Sequence, residues 1–95
     1  MEYEVLHRPV LRKFLIHLAP GKYAFLSYEI KEGKMFIELT YTPSEFRGKG
    51  IARRLMLEVV KYAKENNLKI VPVCSYAVSF FERYPEHKHI LARLS

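Results

Sequence analysis

The sequence predicts an α+β fold in which an antiparallel β-meander is followed by a β-α-β-α unit, all on one mixed sheet. Before residue 43, short segments rich in aromatic residues alternate with turn signals, which is typical of hairpins. Residues 50–66 carry apolar side chains at three- and four-residue spacing, which is typical of a helix. The short apolar run 68–73 that follows favours a strand in parallel pairing.

The meander is predicted as three strands. Residues 10–18 are rich in large apolar side chains and are followed by the turn pair Pro20-Gly21. Residues 23–30 form the second strand, and a charged loop with a glycine separates them from the third strand, residues 35–42. Along the third strand the odd positions are the larger apolar ones, so we expect one face to hold Met35, Ile37, Leu39 and Tyr41.

The second half of the chain is predicted as two helices around one strand. The first helix covers residues 50–66, and residues 68–73 form the strand. Within that strand Pro72 indicates a bulge or a sheet edge, because proline has no N–H to donate. The second helix covers residues 75–83 and ends at Pro85. Residues 86–95 are expected to form a last helical turn or a short strand.

Composition and charge limit the classes of function. The 95 residues correspond to a single domain, 1–95, and 49% hydrophobic with 27% charged residues excludes a disordered tail. A net charge of +6 favours an anionic partner. One cysteine excludes an internal disulfide, and no histidine spacing supports a metal site, so we expect no metal. No apolar run could span a membrane and no signal-peptide core is seen, so we expect a cytoplasmic protein.

The most informative segment is the loop 47–52 (RGKGIA), which lies between the third strand and the first helix. Its glycines allow a tight turn and the close approach of a ligand. The helix that follows begins with unpaired N–H groups and the positive end of its dipole, which suits a phosphate or pyrophosphate. Arg47, Lys49 and Arg53 add positive charge. An ordinary solvated loop is the alternative interpretation.

This loop resembles the Q/R-x-x-G-x-G/A pyrophosphate-binding motif of the GNAT superfamily, the acetyl-CoA-dependent N-acetyltransferases. Arg47 occupies its first position, Gly50 its central glycine and Ala52 its last position. Within the superfamily the chain resembles a small single-domain branch called YjdJ-type, or Gcn5-related minimal acetyltransferases. That branch shares a P-x-x-x-R-G-x-G-I/L-A/G loop, a V-P-x-C string and a helix that ends near H/Y-P-E. The resemblance extends over residues 39–89, and residues 1–38 match in strand pattern only.

The resemblance implies an N-acetyltransferase that binds acetyl-CoA or coenzyme A and transfers the acyl group to an amine acceptor. It implies that the strand before the loop runs beside the pantetheine arm at Tyr41 and Thr42. Lys49, Arg53 and Arg54 either neutralise the 3′-phosphate of CoA or form a solvated helix face. The resemblance also implies that loop amides bind the CoA pyrophosphate, namely those of Gly48, Lys49, Gly50, Ile51 and Ala52.

The candidate catalytic residue is Cys74. Many GNAT enzymes protonate the leaving thiolate with a tyrosine of the second helix, but Phe81 occupies that position here. The histidine that the small branch often carries before the loop proline is replaced by Leu39. Cys74 lies at the carboxyl end of the predicted strand and directly before a helix, and the family resemblance places a cysteine there. It could be a covalent acyl acceptor, a proton donor or a small buried structural residue.

Several questions stay open at this point. No spacing singles out a general base among His17, Glu38, Thr40 and Tyr41. A CoA-binding protein without efficient catalysis is an alternative function, because the expected tyrosine and histidine are absent. A basic nucleic-acid-binding module is disfavoured, because the charges are scattered and no recognition motif is present. The acceptor is undefined, and the chain is expected to be a monomer or a homodimer.

Overall fold

The computed structural model describes residues 3–93 and contains a five-stranded sheet in the order β1-β2-β3-β4-β5. Strands β1 to β4 pair antiparallel, whereas β5 pairs parallel with β4. The predicted mixed sheet with a β-α-β-α unit is confirmed. The strands are β1 (Val5–Arg8), β2 (Lys13–Ala19), β3 (Lys22–Lys31), β4 (Lys34–Tyr41) and β5 (Lys69–Pro72), and the helices are α1 (Ile51–Glu65) and α2 (Ser75–Arg83). Short 3-10 helices cover Pro9–Leu11, Ser44–Phe46 and Pro85–Ile90.

The amino-terminal end differs from the prediction, because the meander has four strands rather than three. Strand β1 was not predicted, and the predicted strand 10–18 begins only at Lys13. Pro9 opens a 3-10 turn that Arg12 closes in the left-handed conformation, with φ of 56°. Val10 at the tip of this turn is 95% exposed. The apolar residues before Lys13 therefore form a connection between two strands and not the start of one.

Strand β4 contains a β-bulge that overturns the predicted alternation. Tyr28 pairs with Ile37 and Ser27 pairs with Leu39, so Glu38 is an extra residue on the β4 side. An extra residue reverses which side chains face inward beyond it. Met35 and Ile37 are buried as predicted, but Leu39 and Tyr41 are 50% and 44% exposed on the opposite face.

Both helices contribute to the same core as the inward face of the sheet. The apolar face of α1 supplies Leu55, Met56 and Val59, each fully buried. Helix α2 supplies Phe80 and Phe81, and the strands supply residues such as Leu26 and Ile37. The predicted bounds of α2 agree with those observed, and the predicted bounds of α1 differ by one residue at each end.

Strand β5 lies at the edge of the sheet, as Pro72 indicated, and Pro72 is its last residue. After the 3-10 helix Pro85–Ile90, Leu91 forms an isolated parallel bridge to Ile70. The amide of Ala92 also donates to the carbonyl of Ile70, at 2.9 Å. The segment 86–95, predicted as a last helical turn or a short strand, therefore contains a 3-10 helix followed by a strand-like bridge. Residues 94 and 95 lie outside the described part.

Candidate active site

The parallel strands β4 and β5 part at their carboxyl ends. Their pairing ends at Ile37 and Pro72. The carbonyl oxygen of Ile37 then accepts hydrogen bonds from the amides of Val73 and Cys74, at 3.0 and 3.1 Å. Beyond this point the chain turns into α2, whereas β4 continues to Tyr41 beside β3 alone. An opening therefore forms between the last residues of β4 and the start of α2, at the sheet end where ligands bind in α/β proteins.

The conformation of the loop before α1 depends on two glycines with positive φ. Gly48 and Gly50 have φ of 80° and 77°, a region that other L-residues rarely adopt. Gly50 precedes the first residue of α1, and its carbonyl accepts from the amide of Arg54 at 3.0 Å. No side chain caps this end of the helix. The first-turn amides are therefore free to receive an anion.

A cleft of about 900 Å³ lies between this loop and α2. That volume is within the range of small-molecule and cofactor sites. The cleft brings together most of the residues that the sequence singled out for a cofactor: Thr42, Arg47, Gly48, Lys49, Gly50, Ile51, Ala52 and Arg53.

The charge in the cleft is mainly positive. Arg47, Lys49, Arg53 and Arg83 line it, and Glu82 is the acidic residue among its lining residues. Three cations at the N-terminus of α1, with Arg83 from the end of α2 on the same cleft, favour a polyanion as the ligand.

Local contacts hold three of these cationic side chains. Arg47 Nε donates to the carbonyl of Thr42 at 3.0 Å, so this side chain also closes the loop. The Lys49 ammonium lies 5.8 Å from the ring centroid of Phe46, and the Arg53 guanidinium lies 5.8 Å from that of Tyr84. Each cation is thus held near the loop by an oxygen or by an aromatic face.

Helix α2 contributes a wall of the cleft that the sequence reasoning did not assign. It consists of Tyr76, Ser79, Phe80, Arg83 and Tyr84. Their three- and four-residue spacing on one helix face was the available signal. Burial, with a smaller effect from the phenol of Tyr84, raises the pKa of Tyr76 to about 12. Tyr76 therefore stays protonated near neutral pH and lines the cleft as a neutral side chain.

Two of the residues singled out by the sequence lie elsewhere. The ring of Tyr41 packs against Phe25 on the outer face of the sheet, at a centroid distance of 5.5 Å, and it does not line the cleft. Cys74 also lies outside the cleft lining. It is half-buried directly before α2, where its Sγ lies 3.6 Å from Thr40 Oγ1. Cys74 thus stands at the opening between β4 and α2.

Phe81 and Leu39, the two positions at which the sequence departs from the GNAT pattern, both lie away from the cleft. Phe81 is 2% exposed and belongs to the core. Leu39 pairs with Ser27 on the outer face, because it follows the bulge. Neither position lines the cleft.

Two features are absent from residues 3–93. No helix within this range is long and apolar enough to cross a membrane. No group of three or more His, Cys, Asp or Glu side chains in the same range is arranged to hold a metal ion.

Comparison with known proteins identifies the family. The family model described as GCN5-related N-acetyltransferase matches residues 13–90. The fold is also similar to the solution structure of a "GCN5-like putative N-acetyltransferase" from Staphylococcus aureus, with a TM-score of 0.78 and 28% sequence identity. That alignment covers 97% of this chain and 90% of the other. The predicted membership of the GNAT superfamily is therefore confirmed, whereas the YjdJ-type branch stays a prediction. The cleft between loop 47–52 and α2, the parting strands beside it and the family match together show that this chain belongs to the GCN5-related N-acetyltransferases.

Proposed function

We propose that this protein transfers an acetyl group from acetyl-CoA to an amine, with the nucleotide part of CoA in the cleft between loop 47–52 and α2. The observation that carries the proposal is the convergence of two positive-φ glycines, an uncapped helix N-terminus and four cationic side chains on one cleft. Pyrophosphate is the group that such a site recognises best, because it accepts several N–H donors at once.

The cleft residues divide by chemical role. The amides of residues 48–52 would hold the pyrophosphate, and Arg53 or Lys49 would face the 3′-phosphate. The backbone of Thr40 and Tyr41 at the end of β4, and of Thr42 after it, would run beside the pantetheine arm, which leads from the cleft to the opening at Cys74. In this arrangement Tyr41 contributes its main chain, since its ring lies on the other face of the sheet.

Acetyl-CoA, when bound, supplies the acyl carbon: a C–N bond to the amine replaces the C–S bond, the amine loses a proton and the CoA sulfur gains one. The Cys74 thiol stands at the opening where the sulfur end of the arm would arrive. It would either take up the acyl group or donate the proton to the leaving sulfur.

The test measures binding and transfer separately. Calorimetry with acetyl-CoA and with CoA should show one binding site per chain. Incubation with acetyl-CoA and a panel of amines should then release CoA and give acetylated amine, detected by mass spectrometry. Cys74→Ala should retain binding and lose most of the transfer, whereas Ser27→Ala, on the outer face of the sheet and away from the cleft, should retain both. The absence of any heat with acetyl-CoA would refute the proposal.

Intact-mass spectrometry separates the two roles of Cys74. An acetyl adduct that forms on the wild-type chain and disappears when amine is added indicates a covalent acyl acceptor. If wild type transfers the acetyl group without an adduct, and Cys74→Ser recovers part of the activity that Cys74→Ala loses, Cys74 acts as a proton donor.

A second candidate function is CoA or acyl-CoA binding without efficient transfer. It is favoured by Phe81, which is buried in the core and has no hydroxyl to donate, and by the outward position of Leu39. This function predicts normal binding with no acetylated amine above the uncatalysed rate for every member of the panel.

A further inference from the structure

We infer that Thr40 is the positioning residue that holds the Cys74 thiol at the opening between β4 and α2. The inference rests on the proposed function, because it concerns the side chain placed at the reacting end of that site. It is carried by three features: the bulge at Glu38, the hydrogen bonds to Ile37, and the contact between Thr40 and Cys74.

The bulge determines which β4 side chain faces Cys74. Thr40 pairs with Leu26, which is fully buried on the inward face of the sheet. Residues paired directly across two strands lie on the same face, so Thr40 points inward as well. Without the extra residue Glu38, the strict alternation that starts at Met35 and Ile37 would turn Leu39 inward instead. The bulge thus replaces an apolar side chain by a hydroxyl at the opening.

The main chain of Cys74 is fixed independently of its side chain. Its amide donates to the carbonyl of Ile37 at 3.1 Å, beside the bond from Val73. Its carbonyl accepts from the amide of Val78 at 3.1 Å, which is the first turn of α2. Because hydrogen bonds fix both the amide and the carbonyl of Cys74, the thiol can change its position only by rotation about χ1.

Thr40 Oγ1 lies 3.6 Å from Cys74 Sγ, a distance suited to a hydrogen bond to sulfur, and both residues are half-buried. The contact selects one rotamer of the thiol. A hydroxyl can also accept from the thiol or donate to the sulfur when it carries negative charge, so it can follow a change of protonation. Valine, which has nearly the same shape, can do neither.

The test uses the reactivity of Cys74 without any CoA. Cys74 is the one cysteine of the chain, so the rate of iodoacetamide alkylation reports on this thiol alone. The rate is measured against pH for wild type, Thr40→Val, Thr40→Ser and the control Ser27→Ala, a hydroxyl on the outer face. Thermal melting confirms that each variant is folded. Loss of one ordinary hydrogen bond corresponds to a change of about fivefold.

We expect Thr40→Val to lower the alkylation rate near neutral pH about fivefold. Thr40→Ser and Ser27→Ala should remain close to wild type. In the transfer assay Thr40→Val should lower kcat more than it changes the affinity for acetyl-CoA.

Two results would overturn the inference. One is an alkylation profile of Thr40→Val equal to that of wild type, and the other is a loss in Thr40→Ser as large as in Thr40→Val, which would assign the effect to packing. Failure of wild type to bind acetyl-CoA would instead refute the proposed function, and the alkylation comparison would still decide whether Thr40 controls the thiol.

Discussion

The guanidinium of Arg53, in the first turn of α1, lies 5.8 Å from the ring centroid of Tyr84, at the end of α2. The two helices therefore meet across the cleft through a cation and an aromatic face. This contact holds Arg53 in the cleft lining, whereas its neighbour Arg54 forms an ion pair with Glu58 at 3.1 Å along the helix. Two adjacent arginines thus have different surroundings.

Arg53→Ala is expected to weaken CoA binding about tenfold, because a charge-assisted hydrogen bond to phosphate would be lost. The same variant should bind dephospho-CoA as wild type does, if Arg53 faces the 3′-phosphate. Arg54→Ala is the matched control and should leave both affinities unchanged. Calorimetry with the two ligands makes the comparison. An equal loss in both variants would mean that the effect is one of overall charge.

Gly50→Ala is expected to weaken acetyl-CoA binding about tenfold and to lower the free energy of unfolding by about 1 kcal/mol. The φ of 77° at Gly50 is unfavourable for alanine, and the added methyl meets no protein atom within 4 Å, so it would project into open space. Gly50 lines the cleft, so strain or a methyl group there would disturb the amides of the loop.

Gly21→Ala provides the matched control for this glycine. Its φ is 72° and an added methyl again meets nothing within 4 Å, but it lies in the turn between β2 and β3. Denaturant unfolding should give similar losses of stability for the two variants. Equal affinities for acetyl-CoA in both would contradict a role for the loop conformation in binding.

Phe81→Tyr is expected to destabilise the fold without a gain in transfer, although it restores the residue type that many GNAT enzymes carry. Phe81 is 2% exposed, so the new hydroxyl would be buried without a partner, at a cost of about 1–3 kcal/mol. Phe36→Tyr, at a half-buried position, should cost much less. Urea unfolding and the transfer assay test this, and an increase in turnover would contradict the placement of Phe81 in the core.

The free energy of unfolding is expected to fall as the pH is lowered below about 6.5, in part because of His7. The His7 ring stacks on Phe14 with centroids 4.0 Å apart, and its Nε2 hydrogen-bonds the Tyr28 hydroxyl. Burial lowers the pKa of His7. Between the lowered value and about 6.5 the unfolded chain binds more protons than the folded chain, so stability is complete above this range and is lost on acidification.

Urea unfolding across this pH range, compared between wild type and His7→Gln, tests the assignment. The variant should lose stability at every pH because the stacking is reduced, and its dependence on pH should be shallower. His17→Gln is the control, since His17 is exposed and stacks on Tyr23 at the surface. If His7→Gln kept the full pH dependence of wild type, other groups would have to account for it.

Local signals were sufficient for the helices and for the loop. Helix α1 could be predicted because its apolar residues recur at the helical period and because glycine and asparagine flank it. The glycines and the positive charges that loop 47–52 brings to the cleft could be predicted because they come from consecutive residues. In both cases the interactions connect residues within a few positions of each other, so they can be read along the chain.

Pairing between strands was harder to predict. Strand β1 has only four residues, and none of them is fully buried. Its sequence shows no apolar alternation that would indicate a strand. Its register depends on its partner β2. The bulge at Glu38 likewise depends on how β3 and β4 align, and nothing in the β4 sequence marks it. The prediction that Leu39 and Tyr41 share a face with Met35 and Ile37 was wrong for this reason.

The class of fold and the glycines and charges of loop 47–52 are properties of short stretches of this chain. The second wall of the cleft, at Tyr76 and Tyr84, and the contact between Thr40 and Cys74 arise only when distant stretches pack together. Residues 40 and 74 are far apart in the chain, and they meet because β4 bulges at Glu38 while β5 ends at Pro72, the residue that pairs with Ile37. Such contacts depend on strand register and helix packing, which are settled by the whole core rather than by any local pattern.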